Sequence, residues 1–69
     1  GPIGRVFVAS RPPGADVVVD GKKMGFKTPH WLEVPSGQRT ISLTKGAQKG
    51  SKAVQVKPGK NKSVYIILE

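Results

Sequence analysis

For chemistry the 69-residue chain offers four carboxylates, one imidazole, a few hydroxyls and no thiol. Nucleophilic catalysis requires a nucleophile, a base and an orienting group within reach of one another. The only base of the right kind is His30. Ser36 lies in a Pro35-Ser36-Gly37 turn, and Ser10, Ser42 and Ser63 alternate outward on strand-like segments. No G-x-S-x-G elbow is present to hold a serine at the end of a strand. Asp16 and Asp20 fall on one face of a strand, but at about 3.3 Å per residue they stand roughly 13 Å apart. That separation is too long for one cation or for an acid and a base on either side of one bond. Asp20 instead suits turn stabilisation, Asp16 a solvated surface, and Glu33 is isolated. Gly46 to Lys52 resembles a phosphate loop only superficially. Its spacing is one residue short, Ser51-Lys52 runs in the wrong order, and no helix follows to add its dipole. The absence of cysteine removes disulfides and thiolate metal sites. His30 itself reads as a half-buried residue at the start of a strand, with pH sensing or contact as the alternative. These residue types lead to a non-catalytic chain with no metal and no cofactor.

The elements that would position any functional side chain are strands. Turn signals recur at roughly eight-to-twelve-residue spacing, the pattern of a small sandwich or barrel, and no segment supports a helix of useful length. Apolar residues alternate along six segments, which places one face of each in a core. The core set is Val6, Val8, Val17, Val19, Leu32, Val34, Ile41, Leu43, Val54, Val56, Val64, Ile66 and Leu68. Lys22 to Met24 supplies a short seventh strand returning from the Asp20-Gly21 turn. Lys45 to Ser51 is expected as the longest loop, mobile or else the tip of a long hairpin. The fold class is all-β: a small sandwich of about six or seven mostly antiparallel strands, of Ig-like or transthyretin-like architecture.

The densest signature runs from Pro12 to Pro29. Pro13-Gly14 suits the centre of a type II turn, since proline presets its own φ and glycine accepts a positive one. Asp16 to Val19 is β-branched and strand-forming. Asp20-Gly21 is a two-residue hairpin signal. Gly25 breaks the ladder, and Pro29 holds Thr28 extended as the next strand opens. P-x-G-A, an apolar strand, D-G-K, then Gly25 with Thr28-Pro29 resembles the PEGA domain family. The resemblance extends through Leu32, Val34, the turn ending at Gly37, Ile41, Leu43, Lys45-Gly46, Val54, Val56, Pro58-Gly59 and the closing Val64–Leu68 strand, so it covers nearly the whole chain from Arg5. It implies a single accessory domain, residues 3–69, within a larger bacterial or archaeal protein, mediating protein–protein or cell-envelope contacts. An envelope-associated, extracytoplasmic location is favoured by that resemblance, with a cytoplasmic kinase as the alternative parent. Gly1-Pro2 reads as a scar of tag removal.

Charge supplies the second functional signal. The chain carries a formal +8, and residues 34–68 hold seven basic side chains and no acid. A field of one sign attracts acidic partners, whereas lysines on loops and edges also keep a small β domain soluble and block edge pairing. The binding residues expected are Trp31 and Phe26 as an apolar anchor, with Lys27, Arg39, Lys49, Lys52 and Lys57 as the attracting charges. Trp31 alternates against Leu32 and Val34, and an outward tryptophan is a residue type enriched at interfaces. The partner expected is an acidic protein or envelope polymer, bound by a domain that is monomeric in isolation and has no membrane span. The alternative is nucleic acid, which would call for aromatics on adjacent strands amid the lysines.

Overall fold

The computed structural model describes residues 2–69; Gly1, half of the dipeptide read as a tag scar, lies outside the described residues. Seven strands follow one another: β1 (Ile3–Arg11), β2 (Asp16–Val19), β3 (Lys22–Lys27), β4 (His30–Pro35), β5 (Gly37–Lys45), β6 (Gln48–Val56) and β7 (Asn61–Ile67). They form a three-stranded sheet in the order β4-β1-β7 and a four-stranded sheet in the order β3-β2-β5-β6. Every pairing is antiparallel except β1 with β7. The expected sandwich is therefore the observed one. All thirteen side chains assigned to the core by alternation are buried, and Ala15 joins them. Strict period-2 patterning allows one register only, because a one-residue slip would move each buried set to the solvent face.

Backbone geometry accounts for the turns. Asp20 and Gly21 both take positive φ, 49° and 83°, as a type I′ hairpin requires. The loop expected over Lys45 to Ser51 is instead ladder: β5 and β6 stay paired out to Lys45 opposite Gln48. Only Gly46-Ala47 turns, with Gly46 at φ 60°. This is the hairpin alternative, and the glycine-rich stretch beyond the turn is strand. Gly25 does not end the third strand either. Two steps along β2, Asp16 to Val18, oppose four along β3, Lys27 to Lys23. Gly25, at φ 86°, sits in this bulge and lets β3 run on to Lys27. Because the bulge absorbs the extra residues, Met24 and Phe26 both pack against the core.

Two local structures hold the ends of the sandwich. At one end a chain of buried hydroxyls links three segments. The Ala15 N–H donates to Thr28 Oγ1 at 2.9 Å, Thr28 Oγ1 lies 2.6 Å from Ser10 Oγ, and Ser10 Oγ donates to the Pro12 carbonyl at 2.8 Å. Since Ser10 spends its proton on Pro12, Thr28 must donate to Ser10, and the chain has one direction. The Arg11–Pro12 and Thr28–Pro29 peptides beside it are cis. At the other end the turn after β6 is strapped to the start of β1: Gly59 N–H donates to the Ile3 carbonyl at 2.9 Å, and Arg5 N–H to the Lys60 carbonyl at 3.0 Å. Gly4 is where the two backbones touch. A Cβ there would lie 2.5 Å from the Lys57 carbonyl oxygen.

Candidate binding surface

The outer face of the three-stranded sheet is built by alternation. With Val6, Val8 and Ser10 turned inward, β1 presents Ile3, Arg5, Phe7, Ala9 and Arg11 outward. In the antiparallel register Phe7 stands opposite Trp31 and Arg5 opposite Glu33 on β4. In the parallel register Ala9 stands beside Tyr65, and Arg11 beside Ile67, on β7. Three aromatics on three adjacent strands therefore share one face. The Phe7 and Trp31 ring centroids are 5.2 Å apart with planes tilted by 58°. The Arg5 guanidinium lies 4.5 Å from the centroid of the Trp31 ring, a cation–π contact that orients the indole. Trp31 remains 40% exposed and Tyr65 56%. Ile3 and Ile67 extend the apolar surface at the margins.

Beside this face, on the seam between β7 and β6, lies a groove of about 230 Å³ lined by Arg5, Gln55, Lys57, Lys60, Asn61 and Lys62, with Val56 at its base. None of its lining residues is acidic. Among the described residues the only ion pairs are Lys27–Asp16 and Arg39–Asp20, so Lys57, Lys60 and Lys62 are in no ion pair there. Lys62 Nζ reaches the Gln55 carbonyl at 3.4 Å, a long contact across the seam.

The residues expected to bind are not brought into one patch. Trp31 is outward, as alternation required. Phe26 is half-buried against the core rather than beside it, for the reason given by the Gly25 bulge, and its ring stacks on His30 at 3.9 Å and 12°. His30 is exposed, not half-buried, and its Nδ1 lies 2.8 Å from the Trp31 carbonyl; because a carbonyl only accepts, Nδ1 carries the proton. Lys27 pairs with Asp16 at 2.8 Å on the exposed surface. Arg39 is half-buried, donating to Asp20 at 3.0 Å and to the Ser36 carbonyl at 3.0 Å. Lys49, Lys52 and Lys57 are strung along the edge formed by β6, where eight residues at about 3.3 Å each spread them over roughly 26 Å. Only Lys57 reaches the groove. Phe7 and Tyr65, which alternate opposite to the core as Trp31 does, and Arg5, Lys60 and Lys62 are not among the binding residues expected from the sequence. Outward alternation was a signal for the two aromatics; nothing local marked the three cations as neighbours.

Asp16 and Asp20 are structural. Asp20 accepts the Thr40 N–H at 2.8 Å and the Arg39 guanidinium. That backbone bond, then the arginine, holds its pKa below the ordinary 3.8. The hydrogen bond from Lys27, followed by the same ammonium charge, lowers the pKa of Asp16. A carboxylate whose folded pKa is depressed contributes stability above its unfolded pKa and loses it as pH falls through the folded one. The midpoint of thermal unfolding should therefore hold down to about pH 4.5 and decline below it. Asp20→Asn should lower the midpoint at neutral pH and flatten the acid decline, as melts at neutral and acid pH would show. An unchanged acid decline in Asp20→Asn would mean that another carboxylate governs it.

Among the described residues no three His, Cys, Asp or Glu side chains gather as a metal site, and no helix is long and apolar enough to cross a membrane. A family model for the PEGA domain matches residues 3–69. No curated protein and no solved structure matches the chain.

Proposed function

We propose that this chain, which belongs to the PEGA domain family over residues 3–69, is a non-catalytic interaction module whose working surface is the outer face of the three-stranded sheet. Its partner is an acidic protein or an acidic cell-envelope polymer. The observation that supports this reading is Trp31, a large apolar side chain left 40% exposed and braced by Phe7 and Arg5. Tryptophan, tyrosine and arginine dominate the energetics of interfaces, the two aromatics because they bury much area with few rotatable bonds and arginine because its planar guanidinium stacks and forms several hydrogen bonds, and all three types sit together here. The net +8 favours encounter with anions. Aromatic desolvation then supplies affinity that salt does not screen. Nucleic acid is the second reading, favoured by one observation: Phe7 and Trp31 stand in register on adjacent strands, with Tyr65 on the third, as in platforms on which bases stack.

Titration with poly-L-glutamate, polygalacturonate and a single-stranded oligothymidylate at 50 and 200 mM salt separates the readings. The expected result is binding to an acidic polypeptide or polysaccharide, weakened at least about tenfold by Trp31→Ala, in line with a loss near 1.4 kcal/mol or more at a central interface residue. Binding to the oligonucleotide alone would favour nucleic acid. Indifference to Trp31→Ala would remove the aromatic face from the interaction.

A further inference from the structure

We infer that the groove on the β6–β7 seam is a phosphate-binding site whose ligands are lysines that take no part in the aromatic face. Four observations converge. The groove gathers Lys57, Lys60 and Lys62 around one cavity with no carboxylate in its wall; Arg5 also lines it, but its guanidinium is stacked on Trp31. None of these cations is spent on an ion pair among the described residues. The amides of Gln55 and Asn61 line the same cavity and provide neutral donors. The backbone beneath is fixed: Gly59 and Lys60 of the turn are hydrogen-bonded to Ile3 and Arg5 of β1, and Lys60 N–H donates to the Lys57 carbonyl at 3.2 Å.

The lack of a side chain at Gly4 is what allows this arrangement. The turn lies so close to β1 that a Cβ at Gly4 would also stand 2.6 Å from a Val56 methyl. Lys57 and Lys60 thus project from a strap rather than a free loop, which lowers the ordering cost of bringing like charges together. β7 carries Lys62 to the other wall, and the parallel pairing of Arg5 with Asn61 closes the end.

Size and charge select the ligand class. At about 230 Å³ the groove is smaller than the roughly 300–1,000 Å³ of pockets that enclose drug-sized ligands, and so suits a single anionic group. A phosphate monoester carries about −1.5 to −2 charge and three acceptor oxygens at neutral pH. It can meet several lysines at once, where a carboxylate offers one charge and two oxygens. Lysine is a common phosphate ligand acting as a point charge. The ligand is a phosphate group, free or as part of a phosphodiester polymer; a diester has one charge and two free oxygens per group, so a polymer would meet the lysines through successive groups along its chain.

Backbone amide NMR titrations test this with sodium orthophosphate, tripolyphosphate, a short oligothymidylate and sodium acetate, all at matched ionic strength. The expected result is that the phosphate probes shift the amides of residues 55–62 and Arg5, with acetate weaker by about tenfold or more. Orthophosphate or tripolyphosphate acting alone would identify free phosphate as the source; the oligonucleotide acting alone would identify a phosphodiester chain. For that polymer the slope of log K against log salt should be about −2 for three lysines, at −0.7 per phosphate engaged. Lys57→Gln/Lys60→Gln/Lys62→Gln should bring it close to zero, and the single Lys60→Gln should reduce binding measurably. Lys22→Gln/Lys23→Gln, on the opposite edge strand β3, should leave phosphate affinity within about twofold, and Trp31→Ala should leave the phosphate shifts in place. Equal effects of acetate and phosphate, shifts spread over the whole surface, or equal losses in the two lysine variants would each overturn the site. Persistence of phosphate binding in Trp31→Ala while acidic polymers bind nothing would leave the groove standing and remove the aromatic docking reading.

Discussion

Leu43→Ala is expected to leave a large fraction of the domain unfolded near physiological temperature. Leu43 is fully buried on β5, the longest-paired strand of the four-stranded sheet. It stands opposite Val17 on β2 and opposite Gly50 on β6. Gly50 offers no side chain to fill the space; a Cβ there would already meet the Ile66 methyl at 2.8 Å. Buried leucine truncations cost about 2–5 kcal/mol, the higher values arising where the cavity cannot collapse. Here collapse would have to draw together two sheets held by continuous ladders, so the upper half of that range applies. At about 0.05–0.15 kcal/mol per residue, a domain of this length has roughly 3–10 kcal/mol in total. The substitution therefore removes a third of the stability or more, and a thermal midpoint should fall by roughly 15–40 °C. Ile67→Ala, at the exposed end of β7, should change stability by less than about 0.5 kcal/mol. Urea unfolding of the two variants beside the parent provides the comparison. A loss below about 1 kcal/mol for Leu43→Ala would show that the core relaxes around the cavity and that the sandwich is less rigid than its register implies.

Leu43 also marks what the sequence could and could not disclose. The core was legible because alternation at period 2 is a local property: each of the thirteen side chains is identified by its immediate neighbours, and the β-branched majority agrees with the strand assignment. The Asp20-Gly21 turn was legible for the same reason. Gly25 was misread because a positive φ serves a strand break and a β-bulge equally well, and only the partner strand distinguishes them. With the bulge, Phe26 lies on the Met24 side of the sheet, packed against the core. The charged groove failed at longer range. Arg5 and Asn61 become neighbours through a parallel pairing between the first strand and the last, a relation that no spacing rule encodes. Lys49, Lys52 and Lys57 looked like a cluster because they are close in sequence, yet an extended strand is the conformation that separates neighbours most. Ser10 and Thr28 were read as an outward residue and a proline-restrained one. Ser10 in fact continues the inward alternation of Val6 and Val8, a local signal; the burial of Thr28 follows from contact with the Pro12–Ala15 segment, which is a tertiary event.

Those two hydroxyls carry the second large effect. Thr28→Val keeps the volume and removes the oxygen that accepts the Ala15 N–H and, by direction, donates to Ser10. The Ala15 amide lies under a fully buried residue and cannot turn to water. An orphaned buried donor costs about 1–3 kcal/mol, and the lost bond to Ser10 adds to it, so Thr28→Val should destabilise by about 2–4 kcal/mol. Ser10→Ala removes the middle of the chain and should cost less, since Thr28 still accepts from Ala15. The double variant decides whether the three bonds act together. Removing Thr28 after Ser10 no longer breaks a bond between them, so the double variant should be more stable than the sum of the singles by about 0.5–3 kcal/mol. Additivity within about 0.3 kcal/mol would mean that the hydroxyls contribute independently. The consequence reaches the binding face. Thr28 ends the excursion of β3, and two residues later His30 begins β4, which presents Trp31. Two backbone bonds between Thr28 and residues 14 and 15 survive the substitution; the third tie, from the Ala15 N–H to Thr28 Oγ1, is lost, and with it part of what fixes where the Trp31 strand starts. A folded Thr28→Val protein should therefore bind the acidic polymers more weakly than its remaining stability accounts for. Ser10→Ala, with β4 still anchored through the Thr28–Ala15 bond, should retain most of that affinity. Equal affinities in the two folded variants would show that backbone pairing alone sets the position of Trp31.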